Sequence, residues 1–215
     1  MDPGLLENGV GQDATEGVGS GDPGGAALPT MKTEPSLPAE IGCEVSPCRS
    51  LVGAACHLLG QCGALVRGLS DGQFVAPSAR LGGGTIGQHL RHVVDHFRAI
   101  VLRGGVIDYD HRDRHVPMET SRGEALRVIE AMHEHLHSLG AGSDATAVSV
   151  RVMISGDGTE VQLGSTLGRE LAFATHHAVH HQAMIRSIAL ELGAVVDSQF
   201  GRAPSTIHFE RRRPG

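Results

Sequence analysis

Four histidines fall within six residues at "HHAVHH", positions 176–181, in a chain with one tyrosine and no tryptophan. On a helix turning about 100° per residue, His177 and His181 share a side with Leu167, Leu171, Ala174, Ala178 and Ile185, while His176 and His180 point away. Two imidazoles one turn apart, about 6 Å along the axis, can converge on one ion. A buried imidazole needs partners for both ring nitrogens. The pair therefore also fits hydrogen-bonded core histidines or neighbours that share a proton.

A second source of imidazole lies upstream, in "TIGQHLRHVVDHF". His89, His92 and His96 cluster beside an apolar stripe of Ile86, Leu90, Val93, Val94, Phe97 and Val101, with His89 nearest the stripe and His92 farthest from it. Three imidazoles from two helices would make an open site, with water or substrate completing the shell of a metal. Between the two histidine segments, "DYDHRDRH" offers Tyr109, Asp110, Arg112 and Arg114. Its arginines could clamp an anionic group, since guanidinium binds carboxylate bidentately. The competing reading is a charged loop tied together by Asp110, Asp113 and the two arginines. Glu170 falls on the His177/His181 side, placed to orient a ligand imidazole or to pair with a loop arginine.

The remaining histidines read as structural. His133, His135 and His137 alternate along one helix and cannot share a face, so solvated or rim positions are expected. His57 reads as a core-edge residue, and "ERRRP" at 210–214 as a solvated basic end.

Positioning these groups requires helices. Helical spacing predicts them over 50–69, 85–102, 121–139 and from a cap at Ser165 or Thr166 to about Leu192. The third should begin with a capping box joining Ser121 and Glu124. Ala125, Leu126, Ile129, Met132, Leu136 and Leu139 make its inner face. Between the third and fourth helices the period drops to two at "VSVRVMI"; the turn "SGDGT" and the return "EVQL" complete a hairpin.

Composition bounds the class. The chain has 215 residues, 40% hydrophobic but only 3% aromatic. Its core must therefore be Leu, Val, Ile and Ala, a helical palette. Residues 1–42 hold seven acids against Lys32, so the whole formal charge of −6 sits there and residues 43–215 are neutral. A neutral body gives no electrostatic case for nucleic acid or an anionic membrane. Eight Gly and five Pro within residues 1–40 cannot offset ordering entropy by burial, so 1–42 is expected as a disordered acidic tail. Met31 is expected as an alternative start. The domain plan is this tail, a helical body over 43–205 and a basic end over 206–215. Cys43, Cys48, Cys56 and Cys62 form no CxxC pair, which predicts reduced thiols and a cytoplasmic setting. No apolar run reaches the length of a membrane span.

Taken together, these segments resemble the DinB-like (damage-inducible) family of four-helix metalloproteins over about residues 50–205. "TIGQHLRHVVDHF" looks like the family's second-helix segment, whose ligand is the His seven residues after the opening Thr, here His92. "HAVHHQAMI" looks like its HxxxH segment, with ligands His177 and His181. "STLGRELAFATHHAVHH" and "YDHRDRH" resemble one subgroup, and "APSTIHF" does so more weakly. The resemblance implies an all-α fold, a four-helix bundle with a small β-hairpin between the third and fourth helices. It implies a divalent metal (Zn, Ni or Fe) on His92, His177 and His181, with His89 and His96 crowding His92.

Family members include transferases and isomerases that use low-molecular-weight thiols such as bacillithiol and mycothiol, which makes a small thiol cofactor and a small-molecule substrate the implied partners. Tyr109, Arg112 and Arg114 are then the expected cofactor contacts, and a homodimer is compatible with the pattern. The leading expectation is metal-assisted activation of a thiol for transfer to an electrophile. A non-enzymatic metal-binding or sensing bundle is the alternative. A metal-free, proton-responsive cluster of His89, His92 and His96 is the third reading.

Overall fold

The computed structural model describes residues 47–102, 105–140 and 142–212. The expected acidic tail, the start at Met31 and the thiols of Cys43 and Cys48 lie outside the described residues. Four long helices dominate: α1 (Pro47–Gly68), α3 (Ile86–Val101), α4 (Arg122–His137) and α5 (Leu167–Glu191). Two short ones, α2 (Asp71–Val75) and α6 (Pro204–Arg211), accompany them. The chain is mostly helical with a small sheet: α3 packs on α4 and α5, and α1 packs on the same two partners.

Helix α1 has poor intrinsic propensity. Gly53, Gly60 and Gly63 lie in its interior, each costing about 1 kcal/mol relative to Ala. Packing holds it instead, through the buried Val52, Ala55, Leu59, Cys62 and Val66. The apolar stripe expected on α3 is buried from Ile86 to Phe97, with Ile100 added and Val101 half-buried. On α4, Ala125, Ile129, Met132 and Leu136 are buried, while Leu126 and Leu139 pack at the core's edge.

Caps depart from expectation in one place. Ser121 accepts from the Glu124 amide, but the Glu124 carboxylate turns to Arg127 rather than back to the cap. Both arms of a capping box are made elsewhere, by Ser70 with Gln73 and by Thr85 with Gln88. Thr166 caps α5.

The expected hairpin forms as β2 (Ala147–Met153) and β3 (Glu160–Thr166), antiparallel from Ala147↔Thr166 to Met153↔Glu160. A third strand was not anticipated: β1 (Val106–Asp108) pairs parallel to β2 and buries Ile107. Three residues carry too little alternation to announce a strand, and the β2 partner is distant in the chain. This sheet positions chemistry at both ends, because β1 delivers Tyr109 and β3 runs directly into the capped start of α5. The segment expected to begin a basic end is helical as far as Arg211, with Pro204 in its first turn.

Candidate metal centre

Helices α3 and α5 pack side by side and turn five histidines toward one another. His92 and His177 meet with their Nε2 atoms 3.0 Å apart. His181 lies close to both, its ring 4.3 Å from His92 and 4.6 Å from His177. As the helical period predicts for α5, His181 is buried and His177 half-buried, while His176 and His180 are exposed. The three residues named from the sequence are thus neighbours, but the set whose potential ligand atoms all lie within 4.8 Å of one another is His92, His96 and His177, with His96 in the place expected for His181. His89 meets His181 instead, Nδ1 to Nδ1 at 3.1 Å.

Electrostatics keeps this cluster neutral. Burial pushes His92 down to about 2, and repulsion from His96, His181, Arg112 and His177 against a second proton in the cluster adds to it. Burial likewise lowers His181 to about 3 and His177 to about 4, again helped by neighbouring histidines. His96 and His89 are also lowered, chiefly by burial. Neutral imidazoles with free lone pairs are the protonation state that metal binding requires. Tetrahedral Zn–N bonds of about 2.0–2.1 Å set ligand nitrogens about 3.3 Å apart. The His92–His177 spacing is within a few tenths of an ångström of that, so this pair fits a divalent ion by chemistry and by reach.

Around the histidines sits a buried polar support that the sequence only partly disclosed. The Tyr109 hydroxyl donates to Glu170 Oε2 at 2.7 Å, and burial with this bond pushes the phenol above its ordinary range. Glu170 also accepts from Ser165 at 2.5 Å and from Arg169 at 3.0 Å. Among the described residues it therefore bonds to neither a clustered imidazole nor Arg112 or Arg114; its position in the first turn of α5 faces Tyr109, just past the end of β1. Tyr109 stacks on His96, 5.0 Å between centroids at 15°.

The arginine loop also differs from the competing reading. Arg112 donates to the Tyr109 carbonyl at 2.7 Å and Asp110 accepts from the Met153 amide at 2.7 Å. Among the described residues no ion pair joins Asp110 or Asp113 to Arg112 or Arg114. Arg112 lies near enough to lower His92, His96 and His177, whereas Arg114 is exposed. Beside this loop, Tyr109, Arg112, Asp95, Arg98, Asp110 and His111 line part of a cavity of about 710 Å³.

A further network was missed because it joins distant segments. Arg91, buried on α3, pairs with Glu119 at 2.9 Å and Asp95 at 3.2 Å. Gly87 allows the close approach that this needs, since a Cβ there would stand 2.0 Å from the Glu119 carbonyl oxygen. His57 is exposed on α1 rather than at the core edge, because Ala55, Leu58, Leu59 and Cys62 take the inner face of that part of the helix. On α4, His135 and His137 are exposed as expected, while His133 is half-buried.

The sequence matches the DinB superfamily over residues 63–185, a stretch that includes all five clustered histidines. The chain belongs to the DinB superfamily. Within this DinB-like chain, 109 residues are 36% identical to a protein of Rhizopus delemar named FK506-binding protein 5. That match covers 50% of this chain and 28% of the other, so the chain spans little more than a quarter of the relative's length. No solved structure matches it. Among the described residues, no helix is long and apolar enough to cross a membrane.

Proposed function

We propose that this DinB-like chain is a metal-binding four-helix bundle in which His92, His177 and His181 hold one divalent ion, and that the site activates a low-molecular-weight thiol toward an electrophilic small molecule. The observation that carries this reading is the 3.0 Å approach of Nε2 of His92 and Nε2 of His177 across two helices. A bound ion would serve as a Lewis acid, lowering the pKa of a thiol or water. The chain's own groups do the rest. The neutral imidazoles present lone pairs, and the His89–His181 contact fixes the orientation of the second ring. Arg112, which lines the adjacent cavity with Tyr109, offers guanidinium to an anionic part of the thiol, and Arg114 offers a second from the exposed side of the same loop. A reducing, cytoplasmic setting suits the free Cys56 and Cys62.

The test is metal content of protein purified without chelators, wild type against His177→Ala, followed by thiol conjugation to a chromogenic electrophile. Stoichiometric metal in the wild type and its loss in the variant are expected. A wild type without metal would sink the reading.

A second reading, a non-enzymatic binding or sensing bundle, is favoured by the surplus of imidazole: five rings crowd a place where three suffice. Full metal occupancy with no thiol conjugation would select it.

A further inference from the structure

We propose that His96 is a fourth imidazole ligand of the ion held by His92, His177 and His181, so that the protein itself closes the resting site. This rests on the metal reading above and changes what it means, because three protein ligands leave a position open whereas four complete a tetrahedron.

The ring of His96 is prepared for that role. Its Nδ1 lies 2.9 Å from the backbone carbonyl of His92. A carbonyl oxygen only accepts, so Nδ1 carries the hydrogen and the lone pair resides on Nε2. His96 is buried, and its ligand nitrogen lies within 4.8 Å of those of both His92 and His177. The ring is also clamped on two faces, by Tyr109 at 5.0 Å and by His177 at 4.0 Å between centroids. Glu170 in turn fixes Tyr109 through the 2.7 Å hydroxyl bond.

The ligand nitrogens of His92, His96 and His177 all lie within 4.8 Å of one another, and the ring of His181 stands 4.3 Å from that of His92. His92 and His177 already turn Nε2 toward each other. His96 commits Nδ1 to a carbonyl, which leaves the lone pair on Nε2, while His181 sets Nδ1 against Nδ1 of His89. A ligand arriving from solution would meet a filled shell and have to displace His96.

The experiment loads the full chain with Zn(II) alone and counts imidazoles by the multiple-scattering amplitude in X-ray absorption, alongside affinity from competition with a chromophoric chelator. Wild type should show four imidazoles. His96→Gln should show three plus a light oxygen ligand, with affinity lower by on the order of 10–100-fold. Three imidazoles plus water in wild type would overturn the proposal even if the variant failed to fold. An unchanged count and affinity in His96→Gln would overturn it too, while leaving the three-histidine reading intact. Absence of Zn(II) binding by wild type, or undiminished binding by His177→Ala, would remove the metal centre itself and His96 with it.

Discussion

Nε2 of His92 and Nε2 of His177 stand 3.0 Å apart although 85 positions separate them in the chain. Two neutral imidazoles at that distance share a hydrogen only if one ring donates it, whereas a cation between them takes both lone pairs. Replacing either ring should therefore affect metal retention more than it affects folding, since both are half-buried and neither is part of the apolar core. His92→Ala is expected to fold with a melting temperature near that of metal-free wild type and to lose the rise that Zn(II) gives the wild type. Thermal melts with and without Zn(II) read this directly; an equal rise in the variant would contradict it.

The pair on α5 was legible because a single helix carries its own geometry: one turn separates His177 from His181, and their apolar neighbours define the inward side. The histidines of α3 were harder. The helical period sets His92 farthest from the apolar stripe, and only the family resemblance selected it; α3 packs on α4 with one face and lines the histidine cluster with another, so His92 lies off the stripe and still faces His177. Tyr109 and Glu170 were each singled out from the sequence, but neither their pairing nor that of Arg91 with Glu119 was legible. Each joins segments whose proximity depends on the short parallel strand β1 or on the close pass at Gly87, and neither leaves a periodic trace in the sequence.

Protonation should destabilise the metal-free protein on the acid side. Unfolded, each clustered imidazole takes a proton near 6.5, but in the folded chain His177 does so only at about 4, His181 at about 3 and His92 at about 2. Between those values the unfolded chain binds more protons, so stability falls as pH falls below about 6.5. Urea midpoints of metal-free wild type should drop from pH 7 to pH 4, and more gently in a His92→Gln/His181→Gln variant. Parallel curves for the two proteins would show that the cluster is not the cause.

Tyr109 and Glu170 make a separable contribution. Tyr109→Phe keeps the ring that stacks on His96 but removes the hydroxyl from a carboxylate only 1% exposed. Ser165 and Arg169 still reach Glu170, so the loss should be that of one buried bond, about 1–3 kcal/mol. Denaturant unfolding checks the magnitude. Zn(II) affinity should change far less than in His92→Ala, and a loss as large as that variant's would mean the hydroxyl does more than brace the ring.

Gly87 is where backbone contact leaves no room. In Gly87→Ala the added methyl would fall 2.0 Å from the Glu119 carbonyl oxygen and 2.7 Å from its carbonyl carbon. Backbone cannot swing aside as a side chain can, so α3 or the turn over Pro117–Glu119 has to move. That displacement would stretch the Arg91–Glu119 contact, now 2.9 Å between charges that are both nearly buried. Overpacking of this kind costs about 1–3 kcal/mol, and weakening a buried ion pair adds to it. Unfolding should therefore show a loss at or above the top of that range, with Gly87→Ala and Glu119→Gln less than additive in the double variant because both act on one contact. Strict additivity, or a stable Gly87→Ala protein, would mean the approach of α3 to this turn is looser than the distances indicate.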